Sequence, residues 1–514
     1  MKNKFIYLAV LAAGFAACEP EFENEVTNAD YSAGDADFTT YVAVGNSLTA
    51  GYMDGTVSRI GQSYSYPSLL AQQFAVVGGG AFTQPSYEED VNNLGGISGL
   101  PGFNTRLILD ASAGAPEPIA GTSTVTLAAQ AKAYNNMGVP GAKSYHLLAA
   151  GYGNAAGVAL GQANPYFVRH ATSASTTVLA DAMSLNPTFF TNWIGSNDVL
   201  LYAIAGGTGV NQAGNQNPAT YAQNDITDPG VFASAYSTIV NTLVSGGAKG
   251  VIATIPNVTS IPYFTTVPFN PLTTASLGGS ATVQQLNTSL YGPMKQVLTL
   301  LGQGDRLNLL SETEGNPILI TDETLTNLAP QLTAAFTSAG YPPATAAFIG
   351  SVYGQARQAT ATDLILLPAS SLIGTAPANV PAPFNVYGVT YPLQDGSVLI
   401  PSEIAMINTA TNSFNNTIKQ VATAKGLALA DMNAILAQLV TGLTTDDGQT
   451  YNAGYFSTAR LSTALFSLDG VHPNARGYAV VANEIIKVIN MHYNAKLPAI
   501  NAGYYPGPTI LPSN

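Results

Sequence analysis

The chain predicts an α/β protein with a mainly parallel, doubly wound sheet and one large insertion, and three observations carry that prediction. Residues 41–44, 187–194, 250–255 and 427–432 are short runs rich in apolar, aromatic or β-branched side chains, and they read as buried strands. Stretches of helical periodicity stand between and after them, which is the rhythm of parallel strands joined by crossover helices. The first two runs end in small polar sets, Gly45-Asn46-Ser47-Leu48 and Gly195-Ser196-Asn197-Asp198, where α/β sheets place their ligands.

Composition narrows the function classes. Of 514 residues 46% are hydrophobic but only 9% are charged, against roughly a quarter charged in an average soluble domain. Ser, Thr, Asn, Gln and Gly must therefore cover much of the surface. The net charge of -13 comes without any basic cluster, so a nucleic-acid partner is excluded as an expectation: nothing is there to neutralise phosphates.

The N-terminus reads as an address. Lys2 and Lys4 precede an apolar run over residues 5–17, too short for a permanent span and suited to a secretory signal. Phe15-Ala16-Ala17-Cys18 places small residues ahead of the only cysteine and resembles the lipobox of bacterial lipoproteins. That resemblance implies a signal peptide over 1–17, lipidation of Cys18 and membrane attachment through the lipid anchor, and it leaves no disulfide. Residues 18–37 hold Glu19, Glu21, Glu23, Glu25, Asp30, Asp35 and Asp37 with no Lys or Arg, and are expected to form a disordered acidic tether. An acidic run behind such a cysteine also resembles the surface-export signal of Bacteroidetes-type lipoproteins, so the expected location is the cell envelope, on an outer membrane.

Taken in order, the globular part starts at residue 38. A helix with Pro67 in its first turn is predicted over 66–74. Residues 78–125 are a Gly- and Pro-rich loop region with a hairpin near 106–109. Gly138-Val139-Pro140-Gly141 is a tight turn able to aim backbone N–H groups outward, followed by a predicted helix over 143–150. Asp228-Pro229 caps a helix to about 245. Residues 261–390 break the rhythm and read as an insertion, a cap over the site, with a helical patch over 327–339. Ile404, Ile407, Phe414, Ile418 and Val421 share one face of a helix over 401–426. Asn474 caps a last helix, 475–492.

Just before that helix stands Asp469-Gly470-Val471-His472. A separation of three residues lets the carboxylate accept the imidazole Nδ1–H and leaves Nε2 free to take a proton. Ser47, the Gly141 turn, Asn197 and this pair resemble, in their order, the four blocks of the SGNH hydrolase superfamily, the GDSL-type esterases and lipases. The first block normally reads Gly-Asp-Ser-Leu, so Asn46 removes a negative charge beside the serine. The resemblance implies Ser47 as nucleophile with its own N–H in the oxyanion hole, Gly141 and Asn197 as the other oxyanion donors, His472 as general base and Asp469 as its orienting partner. It further implies a flavodoxin-like three-layer α/β/α fold in two parts, 38–260 and 391–495, with a tail over 496–514. The implied activity is hydrolysis of carboxylic esters through an acyl-enzyme, without a cofactor, on an acylated glycan or a lipid.

Other residues receive plainer readings. No His/Cys cluster has metal-ligand spacing, so no metal is expected. Of the other histidines, His146, His170 and His492, His146 is read as a packing or surface residue and His492 as a cation suited to a helix C-terminus. Trp193 is placed in the core beneath the Asn197 loop, and Asp198 is read as stabilising that loop. The rival function is a non-catalytic surface lipoprotein that keeps the fold and binds glycan or a partner protein through its insertion.

Overall fold

The computed structural model describes residues 30–110, 115–445, 448–457 and 460–511. The expected signal peptide, Cys18 and the tether up to residue 29 lie outside the described residues. No helix among the described residues is long and apolar enough to cross a membrane.

Five strands make one all-parallel sheet: β1 (Tyr41–Gly45), β2 (Asn136–Gly138), β3 (Phe189–Trp193), β4 (Lys249–Ala253) and β5 (Ala428–Ala430). Their spatial order is 2-1-3-4-5. β1 and β3 are buried at every position, which is why they read as continuous apolar runs rather than alternating ones. Helix α1 (Ser47–Ala50) follows β1, and α2 (Tyr66–Val76) follows it with Pro67 in the first turn. Helix α3 (Asn197–Ile204) leaves β3, and α4 (Pro229–Leu243) precedes β4 behind an Asp228 cap. Helices α5 (Pro401–Lys425) and α6 (Met432–Thr441) flank β5, and α7 (Ala475–His492) ends the domain. α2 packs on α7 and α4 on α5, an arrangement compatible with a three-layer α/β/α stack.

Aromatic stacking ties these layers together. Phe38 stacks on Phe74 of α2 with ring centroids 4.0 Å apart, and Phe232 of α4 stacks on Phe414 of α5 at 4.2 Å. Each fully buried ring of this kind contributes about 2–3 kcal/mol of transfer free energy.

Several expectations need adjustment. Residues 143–150 form no α-helix but a short 3-10 turn, Ser144–Leu148, because the chain turns extended at Ala149 and Gly151 follows at φ +86°; the His146 ring accepts the Lys143 N–H at the start of the turn. The end of the acidic stretch is docked, not free. Ser32 and Lys496 exchange backbone hydrogen bonds, Asp35 N–H donates to Tyr493 O at 2.7 Å, and Ala36 is buried. The C-terminal tail is docked as well: Leu497 and Ile500 are buried, and Ile510–Leu511 pairs parallel with Leu107–Asp110. That strand also forms the expected hairpin, with Pro116–Pro118.

The insertion has a core of its own. Leu272, Ile318, Ile320, Leu332, Ile349 and Tyr353 belong to it, and so do Leu393, Val398 and Ile400, past the expected boundary at 390. Its helices Ala329–Ser338 and Pro343–Tyr353 pack on each other. Arg357, bonded to both Asp322 and Asp363 at 2.7 Å, crosslinks its loops.

Candidate active site

Strand register brings three distant segments to one level. Gly45 lies beside Gly138 of β2 and beside Trp193 of β3, so Ser47, Gly141 and Asn197 all emerge from the same end of three adjacent strands. Asn46 begins α1 by accepting the Leu48 N–H on Oδ1 at 3.0 Å. Asn and Asp serve equally well at such a cap, so the departure from Asp at this position leaves the local geometry supported. α1 fits against the strand ends because two residues lack side chains: a Cβ on Gly45 would stand 2.1 Å from Thr49 Oγ1, and one on Gly138 would stand 2.3 Å from Ala50 N.

The turn after β2 places Gly141 in the left-handed region, φ +79°, which favours glycine. Asn164 Nδ2 donates to Pro140 O at 2.7 Å and Asn197 Nδ2 to Ala142 O at 2.9 Å, so the Asn197 side chain is fixed to the Gly141 turn. Asp198 holds the next residues by accepting Ser144 N–H and Oγ–H at 2.9 and 2.8 Å, as its loop-stabilising reading requires. Neither the Ser47 N–H nor the Gly141 N–H donates to any group among the described residues. Both remain available to a ligand.

The loop before α7 completes the site. His472 Nε2 is 2.9 Å from Ser47 Oγ, and His472 Nδ1 is 2.9 Å from Asp469 Oδ2. Asp469 Oδ1 accepts from Ser467 Oγ, Val471 N and His472 N, while Oδ2 also accepts from Gly55 N at 3.2 Å. Burial acts to raise the Asp469 pKa, but the neighbouring His472 and these donors outweigh it and hold the carboxyl below its ordinary value. Asn474 fixes where the loop ends, accepting Gly477 N–H at 2.9 Å and donating to Ala464 O. A serine hydroxyl is a poor nucleophile by itself; an imidazole hydrogen-bonded to it and oriented by a carboxylate can take its proton as it attacks.

Comparisons with family models, curated proteins and solved structures return no match for this chain.

Beside Ser47 opens a cavity of ≈ 120 Å³. Its polar lining comes from Asn46, Ser47, Ser196, Asn197 and His472, and its other lining residues are apolar, including Met432, Leu436, Leu439, Leu443, Phe466 and Val480. Of the expected insertion, 261–390, only Ile261 is among its lining residues. The insertion also touches the loop of His472: Tyr263 N–H donates to Gly470 O at 2.9 Å, and Leu367 packs where a Gly470 side chain would stand.

Sequence reasoning missed the support of Asp469. Gly55 N–H and Asp54, which accepts the Leu468 N–H at 2.9 Å, lie more than 400 residues away along the chain, and no local pattern marks them. Ser467, two residues before Asp469, was the one legible signal. Burial, with Asp469 nearby, pushes the Asp54 carboxyl up to about 6.

The remaining histidines stay outside the site. Burial and Lys143 push His146 down to about 3, and its ring stacks on Tyr152 at 4.6 Å. His170 is buried and likewise pushed down to about 3. His492 stands in the last turn of α7 against Gly426 O. Trp193 is buried and donates to Thr254 O at 3.1 Å. Among the described residues, Glu323, Asp395 and Glu403 are close enough to share a cation. They meet where the insertion joins α5, where burial and the neighbouring carboxylates raise Glu403 to about 8 and Asp395 to about 6.

Proposed function

We propose that the chain is an exported, lipid-anchored serine ester hydrolase of the SGNH (GDSL-type) superfamily with a flavodoxin-like sheet. The observation that carries the activity is the hydrogen-bonded relay from Ser47 Oγ through His472 to Asp469. The strand order 2-1-3-4-5 is that of flavodoxin-like sheets and supports the fold assignment.

In this reading Ser47 Oγ attacks the ester carbonyl carbon while His472 Nε2 takes the hydroxyl proton. The carbonyl oxygen becomes an oxyanion facing the Ser47 and Gly141 N–H groups and Asn197 Nδ2, preorganised donors each worth about 3–4 kcal/mol of barrier. The bond to the alcohol then breaks, and His472 gives its proton to the departing oxygen. Water repeats the sequence: it loses a proton to His472, attacks the acyl carbon and releases the acid, and the proton returns to Ser47. Asp469, charged throughout, stabilises the imidazolium formed in each half.

The test is labelling by a serine-directed phosphonate together with turnover of p-nitrophenyl acetate and butyrate. Wild type should be labelled at Ser47 and should hydrolyse at least one ester faster than Ser47→Ala. Absence of both effects sinks the reading. The anchor is tested separately, by incorporation of a clickable fatty acid that Cys18→Ser abolishes.

A further inference from the structure

Building on the ester-hydrolase reading, we infer that the cavity beside Ser47 is a pocket for a linear acyl chain, and that medium-chain acyl esters rather than acetyl esters are the favoured substrates. The polarity of the cavity points this way. Its polar lining groups belong to the catalytic neighbourhood: Asn46 adjoins Ser47, His472 is hydrogen-bonded to Ser47, Asn197 is tied to the Gly141 turn, and the neighbouring Ser196 Oγ is buried and unpartnered. The other lining residues are apolar. An ester of an aliphatic acid has the same distribution, with its polar atoms at the carbonyl and apolar surface beyond.

The length of the pocket sets the class of acid. Met432, Ile435, Leu436 and Leu439 of α6 all line it, and seven residues of helix at 1.5 Å each span about 10 Å. With C–C bonds of about 1.5 Å, an extended chain advances about 1.25 Å per bond, so about eight carbons reach from one end of this wall to the other. Val480 and Val481 of α7 and Val258 and Ile261, after β4, line it as well. An acetyl group would leave most of this space without contacts, forfeiting the dispersion attraction of the lining.

The acyl part, not the alcohol, is the occupant because of the order of bond breaking. Asn197 adjoins the cavity and so does Ser47, and the acyl group stays bonded to Ser47 until water releases it. The alcohol leaves in the first half, and a hydrocarbon-lined pocket does not favour holding the polar hydroxyl it gains on leaving.

The experiment measures kcat/KM for p-nitrophenyl acetate, butyrate and octanoate, below their aggregation limits, in wild type, Leu436→Trp, Leu439→Trp and the milder Leu436→Phe. Each buried methylene multiplies apparent binding by about fourfold, so wild type should prefer octanoate to acetate by at least tenfold. That ratio should fall at least tenfold in the Trp variants and measurably in Leu436→Phe. Saturation-transfer NMR should detect octanoate on Ser47→Ala and lose it on Ser47→Ala combined with Leu436→Phe. A wild-type ratio near one, or a ratio that survives all three substitutions, overturns the pocket assignment while leaving the esterase standing. If no ester is turned over and Ser47 takes no phosphonate, the ester-hydrolase reading itself has failed and the substrate assignment falls with it.

Discussion

Two carboxylates of this molecule sit in similar shelter and behave in opposite ways. Asp469 is 13% exposed at its side chain and Glu403 3% exposed, so burial works to protonate both. Asp469 receives hydrogen bonds from Ser467, Val471, His472 twice and Gly55, and its pKa goes down. Glu403 accepts from Ile400 N–H and otherwise faces Glu323 and Asp395, and its pKa goes up to about 8. The difference teaches that charged neighbours and hydrogen-bond donors, not depth, set the charge of a sheltered acid here. The loop before α7 is built to keep one negative charge beside an imidazole; the junction of insertion and α5 tolerates neutral acids.

The largest break in that contrast is Asp469→Asn, which keeps the shape and removes the charge. A fall in kcat of about 10⁴-fold is expected, measured with Ser47 phosphonylation rates as an independent readout. Asn197→Ala removes one oxyanion donor and should lower kcat by about 10²–10³-fold with little change in KM. Ser467→Ala takes away one of the donors to Asp469, and because a hydrogen bond to a charged group contributes about 1.5 kcal/mol or more, kcat should drop about tenfold.

The other side of the contrast is probed by stability. An acid whose pKa is higher in the folded state than its ordinary 4.5 takes up a proton on folding. Its stabilising effect is therefore whole below about pH 4.5 and is lost as pH climbs through about 8. Glu403→Gln, which retains an acceptor for Ile400 N–H, should raise Tm by several degrees at pH 8 and by much less at pH 5. Asp54, raised from 3.8 to about 6, gives the smallest effect: Asp54→Asn should raise Tm by a degree or two at pH 8 and leave it unaltered near pH 3.5. A gain from Glu403→Gln that is equal at both pH values would show that crowding of charge is not what distinguishes the junction.

Much of the sheet was legible because buried parallel strands advertise themselves as apolar runs, and β1, β3, β4 and β5 each did so. β2 was not read as a strand. Its three residues, Asn136-Met137-Gly138, are short and half polar, and they pair with β1 through backbone bonds that any sequence can make. Helix caps were legible for the same local reason: Asp228 and Asn474 accept hydrogen bonds from N–H groups two or three residues on. The 3-10 turn at Ser144–Leu148 was not, since its first residue and the loop before it are held by Asp198 and Asn197, 54 and 55 residues away.

What the sequence determined by itself is the chemistry of the relay. Asp469 and His472 are three residues apart, so their contact is set by a single loop, and the α7 cap that follows fixes where that loop stops. What only the tertiary structure decided is the company these residues keep. Gly55 reaches Asp469 across 414 positions, Ser47 reaches His472 across 425, and the apolar cavity draws its walls from α6, α7 and the segment after β4. Such contacts depend on strand register and helix packing, which act between residues far apart in the chain and leave no local pattern to read.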